Sequence, residues 1–562
     1  MERTRSEDVP AGAVRSGGTL LVECLRAHDI PLWTCVPGES FLPILDALYD
    51  MRQVTPDRPG PRLITTRHEA AAANMAEAAG KATGRAAVCL VTRGPGATHA
   101  SIALHTAYQD GTPLVLVVGQ VPRRHLGRQA FQEMDYARVF GSSAKAVITV
   151  MAADRIPEHV AEAVTTAHTG RPGPVVLVLP EDVLADKTVA AVRAAAPVSA
   201  SEIGANGGER LLAELELAKR PVIVVGGPGW SQAVGEQVIA FAERNDVPVV
   251  AAFRWQDAVD NASRAYAGYL GLGCSTPLRR LVGTSDLVVG LGPRLDDPTT
   301  DGYDLTENAA RLLLVSQDPL EFGRGPASHV SISGSIASAA AVLAGAALPA
   351  DPERSAWAAE LRADYERFHA LPALPPEPDF AAAVAHIRRA LPDDAVITNG
   401  AGNYTVWVQR FFEFRRFRTQ LAPRNGAMGY GLPAALAAAA LEGHRRVVAF
   451  AGDGCLLMSG SELATAVRHQ LRVVVIVVNN SMFGTIRMHQ ERAYPGRPIA
   501  TELTNPDFVA YARSFGVDGV LVRSTAEFPA AFEQALASPG PFLIEIRTDP
   551  RQITPDLRLD HV

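Results

Sequence analysis

The sequence is poor in cysteine and in aromatic residues. Only five of its 562 residues are cysteines, and 6% are aromatic. The cysteines are scattered, odd in number and never spaced as a CxxC pair. This pattern argues against a disulfide framework and against a zinc site, and it is typical of a reducing, cytoplasmic location.

The chain also lacks an excess of basic charge and any long apolar run. It has 53 basic and 60 acidic residues, for a formal net charge of −7, and so has no general footprint for nucleic acid. Residues 1–18 are polar, without the apolar region of a signal peptide. The alanine-rich run 434–441 is too short to span a bilayer and predicts a helix buried against a sheet. Neither a nucleic acid nor a membrane is an expected partner.

Most of the chain alternates short apolar strands with amphipathic helices. This alternation predicts parallel sheets with helices on both faces, and the length is too great for one core. We therefore expect an α/β protein of three doubly wound, parallel-sheet domains. Their predicted bounds are 17–186, 207–348 and 380–549, with a linker at 187–205, a second that contains residues 371–379, and a tail at 550–562 without periodicity that is either a mobile lid or disordered.

Two neighbouring strands of the third domain end on polar residues. The first predicted strand, Arg446–Ala451, leads into Gly452-Asp453-Gly454, and the second, Val473–Val478, leads into two asparagines. A capping-box pattern at residues 459–462 predicts a helix between them, which makes a βαβ unit. Ligands of open α/β sheets bind beyond the carboxyl ends of the strands, so Asp453 and Asn480 are expected at one binding edge.

These side chains predict a magnesium and diphosphate site. Asp453 offers a carboxylate oxygen, Asn480 an amide oxygen, and Met482 a backbone carbonyl, and three hard oxygens suit octahedral Mg²⁺. The glycines at 452 and 454 let backbone amides approach a diphosphate. Alternatively, Gly-Asp-Gly is an ordinary turn and the asparagine pair an ordinary strand end. Either half alone is uninformative, and only their combination in one βαβ unit singles out a site.

The motif resembles the diphosphate-binding motif of thiamine-diphosphate enzymes, with 24 residues between Gly452-Asp453-Gly454 and Asn479-Asn480. Nearly the whole chain is similar to the family of the acetolactate (acetohydroxyacid) synthase large subunit. This resemblance implies a pyrimidine-binding, a central Rossmann-like and a diphosphate-binding domain, in that order. It also implies a homodimer or homotetramer whose cofactor sites combine residues of two subunits.

The resemblance implies roles in the first domain. Glu69 takes the place of the glutamate that favours the imino tautomer of the cofactor's aminopyrimidine, which then deprotonates the thiazolium carbon. Without the resemblance, Glu69 would be read as an acid at a helix start. The remaining implied residues of this domain are the cofactor-contacting loop Gly94, Pro95 and Gly96, and the substrate-side residues Gln120, Phe131 and Gln132.

In the third domain the resemblance implies further cofactor contacts. Met428 takes the place of the apolar residue that wedges thiamine into its bent shape. The other implied cofactor-binding residues are Gly402, Asn403, Gly426, Gly452, Asp453, Gly454, Asn480, Met482, Phe483 and Gly484, of which Asp453, Asn480 and Met482 also hold the metal.

The sequence departs from the synthases around the acceptor. Pro298 stands where the synthases carry an arginine that holds the acceptor's carboxylate, and proline cannot form such a clamp. His489, followed by Gln490, stands where the synthases carry a tryptophan. The donor half is therefore expected to be intact and the acceptor half altered. FAD stays open, since the turn at residues 226–229 is compatible with it but Ser316 replaces the usual acidic residue.

Together these features predict a thiamine-diphosphate- and Mg²⁺-dependent enzyme. It would decarboxylate a 2-oxo acid, most simply pyruvate, and transfer the acyl carbanion equivalent to a carbonyl acceptor. Two alternatives stay open. One is a 2-oxo acid decarboxylase or carbon–carbon lyase that releases an aldehyde, and the other is a non-catalytic paralogue that only binds the cofactor.

Overall fold

The structure is a computed structural model that forms two compact units, Met1–Val198 and Ser199–Val562. Residues 194–199 of the first predicted linker and residues 560–562 of the tail lie outside the described part of the chain. The described residues are 13–51, 62–193, 200–304, 311–373 and 375–559.

The first unit has one six-stranded sheet flanked by helices. The strands of the first unit, six of which form this sheet, are β1 (Arg15–Ser16), β2 (Trp33–Cys35), β3 (Leu63–Thr65), β4 (Ala87–Val91), β5 (Leu114–Gln120), β6 (Ala146–Thr149), β7 (Pro174–Pro180) and β8 (Lys187–Thr188). Its helices are α1 (Gly17–Ala27), α2 (Leu42–Met51), α3 (Glu69–Thr83), α4 (Pro95–His99), α5 (Ser101–Asp110), α6 (Tyr136–Phe140), α7 (Ile156–His168) and α8 (Glu181–Ala185). The sheet is all parallel, in the order β3-β2-β4-β5-β7-β6, while β1 and β8 form a separate antiparallel pair.

The second unit begins with a sheet that is also all parallel. Its strands are β9 (Pro221–Val225), β10 (Val249–Ala251), β11 (Tyr266–Tyr269), β12 (Leu287–Leu291), β13 (Leu312–Ser316) and β14 (Val330–Ser333). Its helices are α9 (Gly204–Leu217), α10 (Gln232–Asn245), α11 (Thr276–Gly283), α12 (Asp297–Thr300), α13 (Ile336–Ala344) and α14 (Pro352–His369). The order β11-β10-β9-β12-β13-β14 is that of a Rossmann sheet.

A third sheet completes the second unit. Its strands are β15 (Val396–Asn399), β16 (Gln420–Leu421), β17 (Val447–Gly452), β18 (Val474–Asn479), β19 (Asp518–Val522) and β20 (Phe542–Arg547), followed by the hairpin β21 (Gln552–Thr554) and β22 (Leu557–Arg558). Its helices are α15 (Phe380–Ala390), α16 (Tyr404–Phe411), α17 (Gly431–Leu441), α18 (Asp453–Leu457), α19 (Leu463–Arg468), α20 (Gly484–Ala493), α21 (Phe508–Ser514) and α22 (Phe528–Ala537). The parallel order β16-β15-β17-β18-β20-β19 repeats the connectivity of the first sheet.

These sheets confirm the predicted α/β class with three doubly wound parallel sheets. The alanine-rich run forms α17, which is buried and packs on β15 and β17. At Gly431 a Cβ would lie 2.9 Å from the carbonyl oxygen of Phe450, so small residues let this helix approach the sheet closely. All five cysteines are free thiols. Within the described ranges, every helix is too short or too polar to traverse a bilayer.

The structure differs from the sequence analysis at two places and adds an element at a third. The capping box is absent, because Glu462 is buried and accepts a hydrogen bond from the Thr465 hydroxyl, so a 3₁₀ turn precedes α19. Between the predicted central domain and the predicted linker at residues 371–379, α14 is an added helix that buries Trp357 and Leu361 against the central sheet. The tail is ordered to residue 559, because the β21–β22 hairpin buries Ile553 and Leu559.

Asp257 joins the central domain to the edge of the third sheet. Its Oδ2 accepts hydrogen bonds from the backbone N–H groups of Thr419 at 3.0 Å and Gln420 at 3.1 Å. Beside it, the Gln256 N–H donates to the Gln420 side chain at 3.0 Å. Burial raises the pKa of Asp257 to about 6, against the effect of these hydrogen bonds. The folded chain therefore holds the Asp257 proton more tightly than the unfolded chain does.

This raised pKa predicts a pH-dependent stability. The contribution of Asp257 to the free energy of unfolding is full below about pH 4 and is lost as the pH rises through about 6. The unfolding free energy of the wild type, relative to Asp257→Asn, should therefore fall across this window. Urea unfolding at several pH values measures it, with the exposed Asp518→Asn as control. A wild-type-minus-Asp257→Asn difference that does not change with pH would contradict the assignment.

Candidate functional site

The carboxyl edge of the third sheet brings the two halves of the predicted motif together. Strands β17 and β18 are parallel neighbours, with Gly452 paired to Val478 at their ends. Asp453 is the next residue after β17, and Asn480 is the next residue after β18. The two side chains therefore follow directly from two adjacent buried strands, as the sequence predicts.

Asp453 is a buried carboxylate among neutral donors. Its side chain is only 2% exposed, and its Oδ2 accepts a hydrogen bond from the Asn505 amide at 2.7 Å. The same Asn505 nitrogen donates to the Asn479 oxygen at 3.0 Å. Burial raises the pKa of Asp453, against hydrogen bonds from Asn505 and from backbone amides. A buried carboxylate held by neutral amides favours a bound cation.

The two asparagines of the motif make different hydrogen bonds. The Asn479 amide nitrogen donates to Oε1 of the fully buried Glu545 at 2.8 Å, which ties β18 to β20. Asn480 instead turns the chain, because its Oδ1 accepts the Met482 N–H at 3.2 Å. The Met482 carbonyl in turn accepts the Gly484 N–H at 3.0 Å. Asn480 Oδ1 and the Met482 carbonyl oxygen each accept one of these hydrogen bonds, and an sp² oxygen has a second lone pair for a metal.

These residues fit a magnesium ion. A buried carboxylate, a side-chain amide and a backbone carbonyl are hard oxygen donors of the kind that Mg²⁺ prefers. The Asn505 Oδ1 atom is also buried and has no hydrogen-bond partner within the described chain. Sequence analysis missed Asn505, because it lies in an irregular segment before α21 where spacing gives no signal.

The glycines of the same edge pack closely against aromatic rings. A Cβ on Gly454 would lie 2.8 Å from the Phe483 ring, and one on Gly452 would lie 3.2 Å from the Tyr404 ring. Gly402 has a φ of +141°, and a Cβ there would lie 2.9 Å from the Tyr404 ring. The rings already occupy the space that side chains at these three positions would need, so packing within the chain requires glycine there.

Two helices begin beside this edge. Asn403 is the N-cap residue of α16, and its Oδ1 accepts the Thr485 hydroxyl of α20 at 2.8 Å. Met428 lies half-buried against the core of the third domain, two residues after Gly426 with its φ of +73°. The structure thus places Gly402, Asn403, Phe483 and Gly484 near the Asp453 edge, and Met428 on the same domain.

The hairpin at the chain's end covers the Asn480 turn. Ile553 and Leu559 form a buried cluster with Met482 and Met488. A Cβ on Gly484 would lie 3.8 Å from the Ile553 side chain. The hairpin therefore packs on the segment that carries two predicted metal ligands.

The residues of the predicted acceptor region differ in their exposure and in their contacts. Pro298 is in the first turn of α12, whose N-cap Asp296 forms an ion pair with Arg424 at 2.7 Å. His489 is exposed on α20. Gln490 is held by the backbone of Ile499, to which its amide donates at 2.8 Å and from which it accepts at 3.3 Å. Gln490 thus anchors the exposed segment after α20.

In the first unit, Glu69 lies against the glycine loop. It is the first residue of α3, after the N-cap His68, whose Nδ1 accepts the Ala70 N–H at 3.1 Å. The Glu69 side chain is 14% exposed, and its Oε2 lies 2.9 Å from Nδ1 of His99. Its Oε1 would lie 3.4 Å from a Cβ on Gly96. The structure therefore unites Glu69 with the predicted Gly94-Pro95-Gly96 loop.

The other predicted residues of this unit divide into two groups. Gln132 adjoins the loop, because a Cβ on Gly94 would lie 2.9 Å from its carbonyl oxygen. Gln120 is buried, and its amide donates to the Met134 carbonyl at 2.9 Å and accepts the Val121 N–H at 2.9 Å. Phe131 is 78% exposed within this chain. Gln120 therefore braces the segment that carries Phe131 and Gln132.

Comparison with known protein families identifies the class. Residues 15–139 match the N-terminal TPP binding domain of thiamine pyrophosphate enzymes, residues 209–343 match their central domain, and residues 400–546 match their C-terminal TPP binding domain. The chain belongs to this family of thiamine-pyrophosphate-dependent enzymes. The three matches follow the order of the three sheets.

Within the family the chain is similar to acetolactate synthases. It is 31% identical to the acetolactate synthase large subunit of Parasynechococcus marenigrum, over 96% of this chain and 88% of the relative. It is 31% identical to the acetolactate synthase isozyme 1 large subunit of Escherichia coli, over 95% of this chain and 94% of the relative. A probable acetolactate synthase large subunit of Methanocaldococcus jannaschii is 29% identical, over 96% and 93%.

The buried carboxylate leads to a prediction about cofactor binding. Asp453→Asn should weaken Mg²⁺-dependent binding of thiamine diphosphate by ~100-fold or more, because it removes the charged ligand. It should not destabilise the cation-free chain, because a carboxyl with a raised pKa loses its contribution to stability as the pH rises. Calorimetric titration and thermal unfolding measure the two effects.

The control for this variant is Asp507→Asn. Asp507 caps α21 through its side chain, and asparagine caps a helix equally well. This variant should bind the cofactor as the wild type does. If Asp453→Asn bound the cofactor equally well, Asp453 would not be a metal ligand.

Proposed function

We propose that this chain catalyses thiamine-diphosphate- and Mg²⁺-dependent decarboxylation of a 2-oxo acid, most simply pyruvate, with transfer of the acyl carbanion equivalent to a carbonyl acceptor. The observation that carries the proposal is the buried Asp453 carboxylate, which lies at the carboxyl edge of the third sheet among neutral donors. Membership of the thiamine pyrophosphate enzymes supports the cofactor.

The metal and the diphosphate belong to the edge of the third sheet. Asp453, Asn480 and the Met482 carbonyl would hold Mg²⁺, with phosphate oxygens and water completing the octahedron. Backbone amides around Gly402, Gly452 and Gly454 would receive the diphosphate, as the sequence resemblance implies. Asn403, Phe483 and Gly484 would border the cofactor, and Met428 would support its bend.

The chemistry combines one cofactor with the chain's own groups. When bound, thiamine diphosphate supplies the electron sink for decarboxylation. Glu69 would hold a proton at the cofactor's pyrimidine ring nitrogen, from a position beside Gly96. The loop Gly94-Pro95-Gly96 would line the ring, and Gln132 and Phe131 would face the substrate. Gln120 would orient that segment through its bond to Met134.

We also propose a homodimer or homotetramer, in which each cofactor lies between subunits. Glu69 belongs to one compact unit and Asp453 to the other, as in the arrangement that the sequence resemblance implies. Sedimentation equilibrium measures the assembly. A cytoplasmic location is likewise a prediction, from the five scattered and free cysteines.

Glu69→Gln should retain cofactor binding and lose ~100- to 10,000-fold in turnover, because glutamine cannot exchange a proton with the pyrimidine ring. Steady-state assays with pyruvate and calorimetric titration of the cofactor measure these effects. Glu158→Gln is the matched control, since Glu158 is a helix-start acid of the same unit that pairs with Arg155 at 2.8 Å. Unchanged turnover in Glu69→Gln would remove Glu69 from the mechanism.

The acceptor is proposed to differ from that of the synthases. Pro298 offers no charged group, and His489 is exposed on α20, so a carboxylate-bearing acceptor lacks the arginine expected from the resemblance. An aldehyde or another uncharged carbonyl compound would then compete well with a second 2-oxo acid.

Product analysis decides this point. The purified protein with Mg²⁺ and thiamine diphosphate is incubated with pyruvate, alone and with a panel of aldehydes and 2-oxo acids. We expect a coupled hydroxyketone with at least one aldehyde, at a higher rate than acetolactate. Free acetaldehyde without any coupled product would favour the second candidate, a decarboxylase or lyase, which the altered acceptor residues also support.

FAD is not supported by the glycine turn after β9. A Cβ on Gly227 would lie 1.8 Å from the Gly292 carbonyl, and Gly226 contacts the Trp255 ring. These glycines are thus explained by packing of the chain on itself, and no step is assigned to a flavin. The visible absorption spectrum of the purified protein tests whether FAD is bound.

A further inference from the structure

The proposed activating acid, Glu69, has an ionisable partner on the glycine loop. Helix α4 begins at Pro95, directly after β4, and ends at His99. The Thr98 hydroxyl donates to the Gly94 carbonyl at 2.9 Å and closes this turn. The turn therefore carries the His99 ring to the start of α3, where its Nδ1 lies 2.9 Å from Oε2 of Glu69.

We propose that His99 is a positioning residue for Glu69. It would hold Oε2 by a hydrogen bond so that Oε1 faces the cofactor's pyrimidine. This inference rests on the proposed function, since it assumes that Glu69 acts on a bound thiamine diphosphate. It adds a residue to the activation step that no motif of the sequence singled out.

The two oxygens of Glu69 have different surroundings. Oε2 is engaged by His99, whereas Oε1 points to the space above Gly96, where a Cβ would come within 3.4 Å. A carboxylate can only accept hydrogen bonds, so Nδ1 of His99 carries the hydrogen of this contact. Half of the His99 side chain is exposed, which gives the pair access to solvent protons.

A second histidine restrains this pair. The His68 and His99 rings stack, with centroids 4.6 Å apart and an interplanar angle of 28°. His68 is itself fixed, because its Nδ1 accepts the Ala70 N–H as the cap of α3. The His99 ring is therefore held on one face by His68 and at one edge by Glu69.

The same three side chains could be read as a metal site, since His68, Glu69 and His99 place one donor atom each within 4.8 Å of one another. Nearly parallel rings direct their in-plane lone pairs along similar directions, and such lone pairs do not converge on one ion. The short Glu69–His99 contact is then better explained as a hydrogen bond that orients the carboxylate.

The test measures proton exchange at the cofactor instead of turnover. Wild type, His99→Ala and His99→Asn are loaded with Mg²⁺ and thiamine diphosphate, mixed with D₂O, quenched in acid and assayed by NMR for loss of the thiazolium proton. We expect exchange to slow about 10-fold or more in His99→Ala, because a charge-assisted hydrogen bond is lost. His99→Asn should stay within about threefold of wild type, because its amide nitrogen takes the place of Nδ1.

Cofactor affinity and folding are measured on the same samples. Calorimetric titration should show less than about a threefold change in affinity for thiamine diphosphate in either variant, because His99 acts through Glu69. Thermal unfolding confirms that both variants fold. The matched control is His159→Ala, which removes another histidine–glutamate contact of this unit, at 3.1 Å to Glu162, and should leave exchange unchanged.

The outcomes separate the inference from the proposed function. Wild-type exchange in a folded His99→Ala would overturn the role of His99. Equal losses in His99→Ala and His99→Asn would also overturn it, because the donor group would then be irrelevant. If Glu69→Gln exchanged the thiazolium proton at the wild-type rate, Glu69 would not be the activating acid of the proposed function, whatever His99 does.

Discussion

The third domain depends on the burial of one carboxylate. Asp453 ends a strand whose interior residues are apolar, and neutral amides hold it there. A buried carboxylate in its charged form lowers the stability of the folded chain, and the raised pKa of Asp453 reflects this cost. In the proposed function a divalent cation offsets this cost, and Asn480 and the Met482 carbonyl supply further oxygens. This arrangement is maintained by the turn at Asn480, by the hydrogen bonds of Asn505, and by the terminal hairpin that packs on the turn.

The same sheet connectivity is used twice along the chain. The first and third sheets share one strand order, and both carry their candidate residues in loops that follow strands. The third sheet carries a carboxylate suited to a metal, whereas the first carries Glu69 at a helix start beside a glycine loop. One architecture thus presents two acids for which we propose different tasks, because their immediate neighbours differ.

Much of the fold and of the candidate site could be predicted from the sequence. The same physical reasons explain where prediction failed. Buried strands such as β5 and β18 are continuous apolar runs, and polar residues at their ends mark a binding edge. Asn505 and the His99–Glu69 contact escaped prediction because they join segments far apart in the chain. The terminal hairpin escaped prediction because Ile553 and Leu559 show no period and are buried in a cluster with Met482 and Met488, which are distant in the chain. Glu462 was misread because burial, not capping, fixes its side chain.

We propose that the Asp453 edge holds a divalent cation with the cofactor's diphosphate. Crystals grown with Mn²⁺ and thiamine diphosphate, measured by anomalous scattering, test it most directly. The account predicts one strong peak within coordination distance of Asp453 Oδ, Asn480 Oδ1 and the Met482 carbonyl, with the diphosphate beside it. A fully occupied cofactor whose metal lies elsewhere, or that binds without any metal, would contradict it.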